Sequence, residues 1–443
     1  MGNPNENALP ECQLLCLQEM VNTVHSQQYG DGNDALDRPV GFWMDTLCIP
    51  VHPDHVQYRK QTIRQMRNVY KSAILVLVLD SWVRELPRSA NIIEKAARLY
   101  LSNWQHRLWT LQEGVLAQDL FFQFNDGPEA LRHLWQEQEI HKKTCPGFYS
   151  TIVDYTLPLV PMSNLKLKNE GDKSTLEEKF PALVEGIVNR KTSKLADETI
   201  CFATLLDLDP GFLLREDENK RMETFLRKVG AFQQGLIFNE LRRLPTDGFR
   251  WAPRSFLSQA KPLWPKLNAE LSKRDRDNCL AYGVLRYRGG LLVRFPGIKL
   301  LCRGSHLTNM MALVPRNDGT VRYGAFLVKE EDVESGKRQS LPRWDPACQY
   351  AIVSSTLVCK GGGETMCIFG MLRGQDDEGV LAIEYLCRAI VKPLSNVKLG
   401  STTEVRATIS KYGALFEGDA EEYGEDCLIA ADWLAEDQEW CVM

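Results

Sequence analysis

The sequence predicts an α/β fold, with a parallel sheet in residues 1–145, a mainly helical region in residues 146–260 and a mainly β region in residues 261–443. Two observations lead to this prediction. Between residues 41 and 124, short continuous apolar runs alternate with amphipathic helical segments, as in domains built on parallel strands. From about residue 280 onward, short runs with strand character are separated by glycine-rich turns. A chain of 443 residues is long enough for two or three separate cores.

The elements of the first region are expected in the order strand, helix, strand, helix, strand. Apolar residues recur at steps of three and four between Tyr58 and Ser72, which predicts an amphipathic helix. The next run, Ala73–Leu79 (AILVLVL), is continuous and β-branched, which is typical of a parallel strand buried on both faces. The other predicted elements are a short apolar run at Gly41–Leu47, helices at Asn91–Leu101 and from near Gln105 through Ala117, and a strand at Asp119–Phe124.

Helices are also predicted before and after this region. Apolar spacing indicates a helix at Cys12–Val24 and another at Arg221–Ala231. Thr192 and Ser193 are expected to cap a helix that starts near Leu195, because hydroxyl side chains satisfy free amide groups there. The strands expected in the last region are LLVRF, KLLC, MMALV, CQYAIVSS, TMCIFGML, VLAIEYLC and the terminal DQEWCVM.

Composition limits the classes of function. The formal net charge of -5 argues against a general nucleic-acid binder and against an acidic membrane surface as partner. Thirteen cysteines without a CxxC pair fit a reducing compartment. The sequence opens without a secretory signal pattern, and its most apolar run is too short to span a bilayer. We therefore expect a soluble cytoplasmic protein.

Three segments resemble the ordered motifs of fungal heterokaryon-incompatibility (HET) domains. They are FWMDTLCIP (Phe42–Pro50), RQMRNVYKSAILVLVL (Arg64–Leu79) and NWQHRLWTLQEGVLA (Asn103–Ala117). The resemblance implies a protein of fungal non-self recognition and regulated cell death. Four later segments are similar to the rest of one HET subfamily: TSKLADE (Thr192–Glu198), FRWAPRSFL (Phe249–Leu257), LLVRFPGIKL (Leu291–Leu300) and DQEWCV (Asp437–Val442).

HET domains in turn resemble the TIR superfamily, which implies a TIR-like or flavodoxin-like parallel sheet. On that plan, Phe42–Asp45 is the second strand, Thr46–Thr62 is the mobile loop after it and Ala73–Leu79 is the third strand. The segment WTLQE (Trp109–Glu113) then starts the next helix. In TIR domains that hydrolyse NAD, a glutamate at this place is catalytic. The resemblance therefore implies Glu113 as the catalytic residue, with NAD as a substrate and no bound cofactor.

The spacing of Trp109 and Glu113 agrees with such a role, since residues four apart share one face of a helix. A carboxylate beside an indole is partly desolvated, which raises its pKa. It could hold the ribose hydroxyls and stabilise the positive charge that develops when nicotinamide leaves, while the indole stacks on an aromatic ring of the ligand. The structural alternative is that Trp109 is a core residue and that Glu113 pairs with an arginine.

Three further residues complete the predicted substrate site. Asp45 would lie near the carboxyl end of a parallel strand, where open α/β sheets bind ligands, or would cap the following turn. Arg107 would bind phosphate in a bidentate manner, or would pair with Glu113 or Asp45. Trp43, in the same motif as Asp45, is the third predicted substrate-binding residue.

Cysteine and histidine chemistry is not expected in this motif. Cys48 has no visible cation or helix N-terminus to lower its pKa, so an inert thiol is the favoured interpretation. His52 and His55 lack a third and fourth ligand in the sequence, so no metal site is predicted.

The sheet is expected to be incomplete. HET domains open with a strand that carries a Ser/His/Trp-type motif, and Met1 follows that point, so the central first strand is expected to be missing. Phe42–Leu47 would then lose a parallel neighbour and expose backbone groups. This expectation leaves an alternative function open, namely a non-catalytic signalling or accessory protein that works by self-association or by contact with another signalling protein.

Overall fold

The computed structural model describes residues 8–29, 40–144, 175–257, 273–286, 289–301, 310–315, 323–328, 331–332, 337–338, 345, 347–356, 365–393 and 428–443. The chain divides into two compact units, Met1–Phe225 and Leu226–Met443. Both helices and sheets are present, so the mixed α/β class is confirmed. Residues 145–174 and 258–272, next to the predicted region boundaries, lie outside the described residues.

The first unit combines helices with a small sheet. Its helices are α1 (Glu11–Tyr29), α2 (Asp45–Cys48), α3 (Val56–Ser72), α4 (Ile92–Leu101), α5 (Asn103–His106), α6 (Thr110–Leu116), α7 (Leu131–Thr144), α8 (Leu176–Gly186), α9 (Asp197–Leu205), α10 (Gly211–Leu214) and the first half of α11 (Arg221–Val229). Short 3₁₀ turns lie at Pro53–His55 and Val83–Glu85. Its strands are β1 (Leu75–Val78), β2 (Asp119–Phe124) and β3 (Gly127–Ala130).

The sheet of this unit has the order β1-β2-β3. Strand β1 runs parallel to β2, with Leu75 opposite Asp119, which confirms the predicted parallel pair. Strand β3 returns as an antiparallel hairpin that the sequence did not predict. The expected burial of β1 on both faces is wrong, since only Val78 of this strand is fully buried. Within the described part of the chain β1 is an edge strand, and an edge strand lacks the second neighbour that would cover it.

The predicted second strand at Phe42–Asp45 is also wrong. Residues 40–44 form no ladder, and the chain enters α2 at Asp45. The backbone of Val40 is bound by side chains of α1 instead: Gln18 donates to its carbonyl at 2.8 Å, and its N–H donates to Asn22. At the end of the predicted strand, the carbonyl of Met44 accepts the N–H groups of Leu47 and Cys48, so the chain forms a helical turn there.

The predicted helix from Gln105 through Ala117 is interrupted at Arg107–Trp109, between α5 and α6. The reason is a contact distant in sequence. Lys191 donates its backbone N–H to the carbonyl of His106 at 2.7 Å and accepts the N–H of Leu108 at 2.9 Å. Backbone groups that bond to another segment cannot continue a helical ladder.

The other helix predictions hold, with one exception in the capping. Helices α1, α3, α4 and α11 lie where apolar spacing predicted them. Helix α9 starts two residues after the predicted Leu195, and no side chain caps it. The hydroxyl of Thr192 instead accepts a hydrogen bond from the N–H of Lys194, which closes a turn before the helix.

The second unit is dominated by a nine-stranded mixed sheet. Its order is β13-β12-β7-β15-β8-β9-β14-β16-β6, and an additional pairing of β13 with β14 closes the first seven of these strands into a ring. The strands are β6 (Leu291–Arg294), β7 (Gly297–Leu300), β8 (Met310–Pro315), β9 (Tyr323–Val328), β12 (Gln349–Ser354), β13 (Thr365–Gln375), β14 (Leu381–Pro393), β15 (Leu428–Trp433) and β16 (Glu439–Val442). The predicted strands of the last region are therefore confirmed except KLLC, whose strand begins earlier, at Gly297, and ends at Leu300; β9 and β15 were not predicted.

The remaining elements of this unit are short. They are β4 (Ala231–Gln233), β5 (Tyr282–Val284), β10 (Glu331–Asp332), β11 (Lys337–Arg338), a 3₁₀ turn at Gln234–Phe238 and helix α12 (Lys273–Leu280). Strands β4 and β5 pair with each other, and β10 pairs with β11.

The ring of strands is filled with apolar side chains. Residues two apart on each strand point inward, as the pleat requires. Ile298 and Leu300 do so on β7, and Ile352 and Tyr350 on β12. The interior of the ring is therefore a hydrophobic core.

No helix among the described residues is long and apolar enough to cross a membrane.

Candidate functional site

Glu113 lies in the first turn of α6, where its carboxylate accepts a hydrogen bond from the indole N–H of Trp104 at 2.8 Å. Trp104 is buried and packs edge-on against Phe122 of β2, with ring centroids 5.5 Å apart. Its backbone N–H donates to the carboxylate of Asp80 at 3.2 Å. Trp104 is therefore held through its backbone N–H and through its ring, and its indole N–H fixes the position of the Glu113 carboxylate.

The environment of Glu113 raises the pKa of its carboxyl group above the usual value of 4.5. Burial is the largest cause, because a desolvated carboxylate loses the stabilisation of water. The Trp104 hydrogen bond acts in the opposite direction, since it stabilises the charged form. Asp45 raises the pKa further, while the positive charges of Arg107 and Arg190 lower it.

Three of the other predicted site residues lie around Glu113. Asp45 and Arg107 form an exposed ion pair at 3.8 Å, which was one of the predicted alternatives for Arg107. Asp45 also accepts the N–H of Thr46 at 2.7 Å, so it closes the first turn of α2 as well. Trp43 is partly exposed and packs edge-on against Tyr70 of α3 at 5.5 Å. Because the charges of Asp45, Arg107 and Glu113 all act on Tyr70, these residues form one cluster.

Tyr70 is a member of this cluster that the sequence did not single out. The phenol is buried, and burial together with the charges of Glu113 and Asp45 raises its pKa far above the usual value. Its hydroxyl is therefore neutral at any physiological pH. Within the described residues no group accepts a hydrogen bond from this hydroxyl. A neutral donor of this kind, beside two carboxylates, is available to a ligand.

Trp109 does not form a hydrogen bond with Glu113. The indole N–H of Trp109 donates to Asp197 of α9 at 3.1 Å, and the tryptophan that bonds to Glu113 is Trp104. Trp109 is the N-cap of α6 and has helical backbone angles, but its side chain bonds to α9 and not to Glu113. Trp109 is partly exposed, so it is not a core residue either.

Arg190 lies under the cluster and is 1% exposed. Its guanidinium donates to the carbonyl of Arg107 at 2.8 Å and to the hydroxyl of Thr110 at 3.1 Å. It also donates to the side chain of Gln105 at 3.2 Å and to the carbonyl of Gly186 at 3.0 Å. The turn between α5 and α6 is therefore stabilised by hydrogen bonds from Arg190, which is distant in sequence.

Besides Tyr70 and Trp104, the residues that sequence reasoning missed are Asp80 and Arg190. Asp80 directly follows the apolar run of β1, at the carboxyl end of a parallel strand, and this position is the signal that could have identified it. Arg190 has no such signal, because it is 83 residues from Arg107 and stands before the segment that resembles a family motif.

The structure places Cys48 at the end of α2, and His52 and His55 at the short turn that follows. Cys48 is exposed, and His52 caps the turn at Pro53–His55 by accepting the N–H of Asp54 at 3.3 Å. In the described part of the molecule, no group of three or more His, Cys, Asp or Glu side chains is arranged to hold a metal ion.

The later family-like segments have structural contacts. Trp440, in DQEWCV, is buried and donates to the carbonyl of Phe295 at 2.8 Å. Gly297, in LLVRFPGIKL, has no room for a side chain, since a Cβ there would lie 2.1 Å from the Trp440 ring. Trp251, in FRWAPRSFL, is buried and donates to Gly248. These segments are therefore explained by packing of the second unit.

The cluster in the first unit offers a carboxylate held in place, a neutral phenol, an exposed guanidinium and a partly exposed indole. This set can bind a ligand that has hydroxyls, an anionic group and an aromatic ring. Comparison of the chain with protein-family models, with curated proteins and with solved structures gave no match.

Proposed function

We propose that this chain is a HET-type effector of fungal non-self recognition and regulated cell death that acts in the cytoplasm by cleaving NAD. The observation that carries the proposal is the Glu113 carboxylate, which is fixed by Trp104 and surrounded by Tyr70, Asp45 and Arg107. The order of the three motifs between Phe42 and Ala117 supports the assignment to this class of protein.

The chemistry requires the ionised form of Glu113. When the bond between nicotinamide and C1 of the ribose breaks, its electron pair goes to the ring nitrogen and positive charge develops on the sugar. A fixed carboxylate beside the ribose stabilises that charge and accepts hydrogen bonds from the ribose hydroxyls. Water then adds to C1 and loses a proton, which gives ADP-ribose, neutral nicotinamide and one proton.

The neighbours of Glu113 have separate roles in this proposal. Arg107 is 60% exposed and would bind the diphosphate, with the phosphate competing against Asp45 for the guanidinium. The partly exposed face of Trp43 would stack on an aromatic ring of the dinucleotide. The hydroxyl of Tyr70 would donate to a ribose oxygen.

The test is nicotinamide release from NAD by the purified full-length protein, beside its Glu113→Gln variant. Glutamine keeps an oxygen that can accept the Trp104 hydrogen bond but removes the charge. We expect turnover to fall by about 10²-fold or more, as for the loss of one preorganised electrostatic group. Equal turnover of both proteins would remove Glu113 from the mechanism, and no turnover by the folded wild type would remove NAD cleavage.

A second candidate function is self-association without catalysis, and the edge of β1 favours it. Among the described residues β1 pairs only with β2, and Ile74 beside it is 51% exposed. Free backbone groups on an edge strand can pair with the same edge of a second copy. Light scattering after size exclusion distinguishes the cases: this function predicts a wild-type dimer that Ile74→Lys converts to a monomer, and a wild-type monomer at all concentrations argues against it.

A further inference from the structure

Arg190 is a buried cation whose hydrogen-bond acceptors are all neutral. They are the carbonyls of Gly186 and Arg107, the hydroxyl of Thr110 and the amide oxygen of Gln105. Removing a guanidinium from water is costly unless an opposite charge is close. Burial accordingly lowers the pKa of Arg190 to about 10.

Two acidic groups act to keep Arg190 charged, the thiol of Cys201 and the carboxyl group of Glu113. Burial raises the pKa of Cys201 to about 12, so this thiol is uncharged near neutral pH. Of these two groups, Glu113 is the one that can carry a negative charge near neutral pH, although no direct ion pair joins it to Arg190 among the described residues. Both residues also touch Trp104: the guanidinium lies 5.9 Å from the centre of its ring, and Glu113 accepts its N–H.

Arg190 also determines the shape of the turn that carries the site. Its bonds to Arg107 and Thr110 hold the chain between α5 and α6, and the next residue, Lys191, pairs with the backbone of the same turn. Trp104 lies before this turn and Glu113 follows it. Their mutual distance thus depends on the guanidinium.

We propose that Arg190 is a positioning residue of the Glu113 site, which fixes the turn at Arg107–Trp109 and keeps Glu113 in its anionic form. The inference rests on the proposed function for its effect on catalysis, but the ionisation of Glu113 can be measured without NAD. The other groups that face Glu113 are Asp45 from α2, Tyr70 from α3, Arg107 from the turn and Trp104 from α5. Arg190 differs from Arg107 because it is buried, so water and salt screen its charge much less.

The experiment is an NMR titration of the full-length protein with ¹³C-labelled glutamate side chains, in which the signal missing from Glu113→Gln identifies Glu113. Arg190→Gln removes the charge, and we expect the Glu113 midpoint to move to higher pH. Arg190→Lys keeps the charge, and we expect a midpoint near that of the wild type. Arg221→Gln is the matched control, because Arg221 is also buried and donates to the carbonyls of Leu213 and Ala196.

A Glu113 midpoint in Arg190→Gln equal to that of the wild type would overturn the proposal. If that variant does not fold, Arg190→Lys decides: a wild-type midpoint supports the proposal, and a midpoint moved to higher pH overturns it. In NAD cleavage, we expect the acidic limb of the pH profile to move upward in Arg190→Gln and to be restored in Arg190→Lys. A wild type that does not cleave NAD refutes the proposed function, while the titration still decides the role of Arg190.

Discussion

Two tryptophan–carboxylate pairs in the first unit have nearly the same local geometry. Trp104 donates to Glu113 at 2.8 Å, and Trp109 donates to Asp197 at 3.1 Å. In both pairs burial raises the pKa of the carboxyl group and the indole hydrogen bond lowers it. The two pairs differ in what surrounds the carboxylate.

Asp197 stands in the first turn of α9, where a negative charge interacts favourably with the helix dipole. Its charged neighbours are Lys194, Arg221 and Glu218. Glu113, in contrast, is surrounded by Arg190, by the exposed pair of Asp45 and Arg107, and by Tyr70, whose hydroxyl has no acceptor among the described residues. A hydrogen bond from an indole to a carboxylate therefore does not by itself make a ligand-binding site. The additional groups that a ligand could reach distinguish Glu113 from Asp197.

The largest effect after loss of Glu113 itself is expected from Trp104→Phe. This substitution removes the hydrogen bond to Glu113, and a bond to a charged acceptor contributes about 2 kcal/mol. We expect NAD cleavage to fall by roughly tenfold or more, the loss equivalent to 1.4 kcal/mol. Trp109→Phe is the matched control, since it removes the corresponding bond to Asp197. Equal losses of turnover in the two variants would show that the pairs do not differ in function.

The pH dependence of NAD cleavage should follow the ionisation of the Glu113 carboxyl group. Because the carboxylate is the active form and its pKa is raised, activity is expected to fall with decreasing pH already above the usual carboxyl range near 4.5. Trp104→Phe removes an interaction that lowers this pKa, so its acidic limb should lie at higher pH than that of the wild type. Trp109→Phe should leave the limb in place. A limb that does not move in Trp104→Phe would contradict the assignment.

Stability should depend on the same ionisation. Since the pKa of Glu113 is higher in the folded than in the unfolded chain, the folded state binds more protons between the two values. The free energy of unfolding therefore decreases as pH rises from the usual carboxyl range through the raised pKa. Glu113→Gln removes this decrease. The free energy of unfolding of the variant minus that of the wild type, measured by denaturant titration, should therefore rise with increasing pH. If the difference in free energy of unfolding between the two proteins does not change with pH, the pKa of Glu113 is not raised in the folded state.

The smallest effect on turnover is expected from Asp197→Asn. Asparagine keeps an oxygen for the Trp109 hydrogen bond, and no proposed ligand contact involves Asp197. We expect NAD cleavage within about threefold of the wild type, well under the tenfold that 1.4 kcal/mol represents. The measurement is the initial rate at neutral pH, after circular dichroism has shown that the variant is folded.

Local sequence patterns predicted much of the fold. Apolar spacing located α3 and α4, and the continuous run at Ala73–Leu79 located β1, because these signals depend on residues close in sequence. The strand at Phe42–Asp45 was wrong, since Asp45 begins a helical turn and the preceding Val40 is bonded to side chains of α1. Such contacts between distant residues leave no periodic pattern.

The candidate site was predicted in part for the same reason. Motif order identified Trp43, Asp45, Arg107 and Glu113, and the structure brings these four residues together. Helical spacing did not identify the indole that bonds to Glu113, because Trp104 lies before the interruption that Lys191 makes between α5 and α6. Whether NAD is the substrate stays a prediction.

The role of Glu113 is tested by nicotinamide release from NAD by the wild type, Glu113→Gln and Asp197→Asn, assayed side by side at neutral pH. Both substitutions remove one partly buried carboxylate beside a tryptophan and keep its hydrogen-bond acceptor. The account predicts that the wild type and Asp197→Asn release nicotinamide at similar rates and that Glu113→Gln is slower by about 10²-fold or more. Equal rates for Glu113→Gln and the wild type, or an equal loss in both variants, would contradict it.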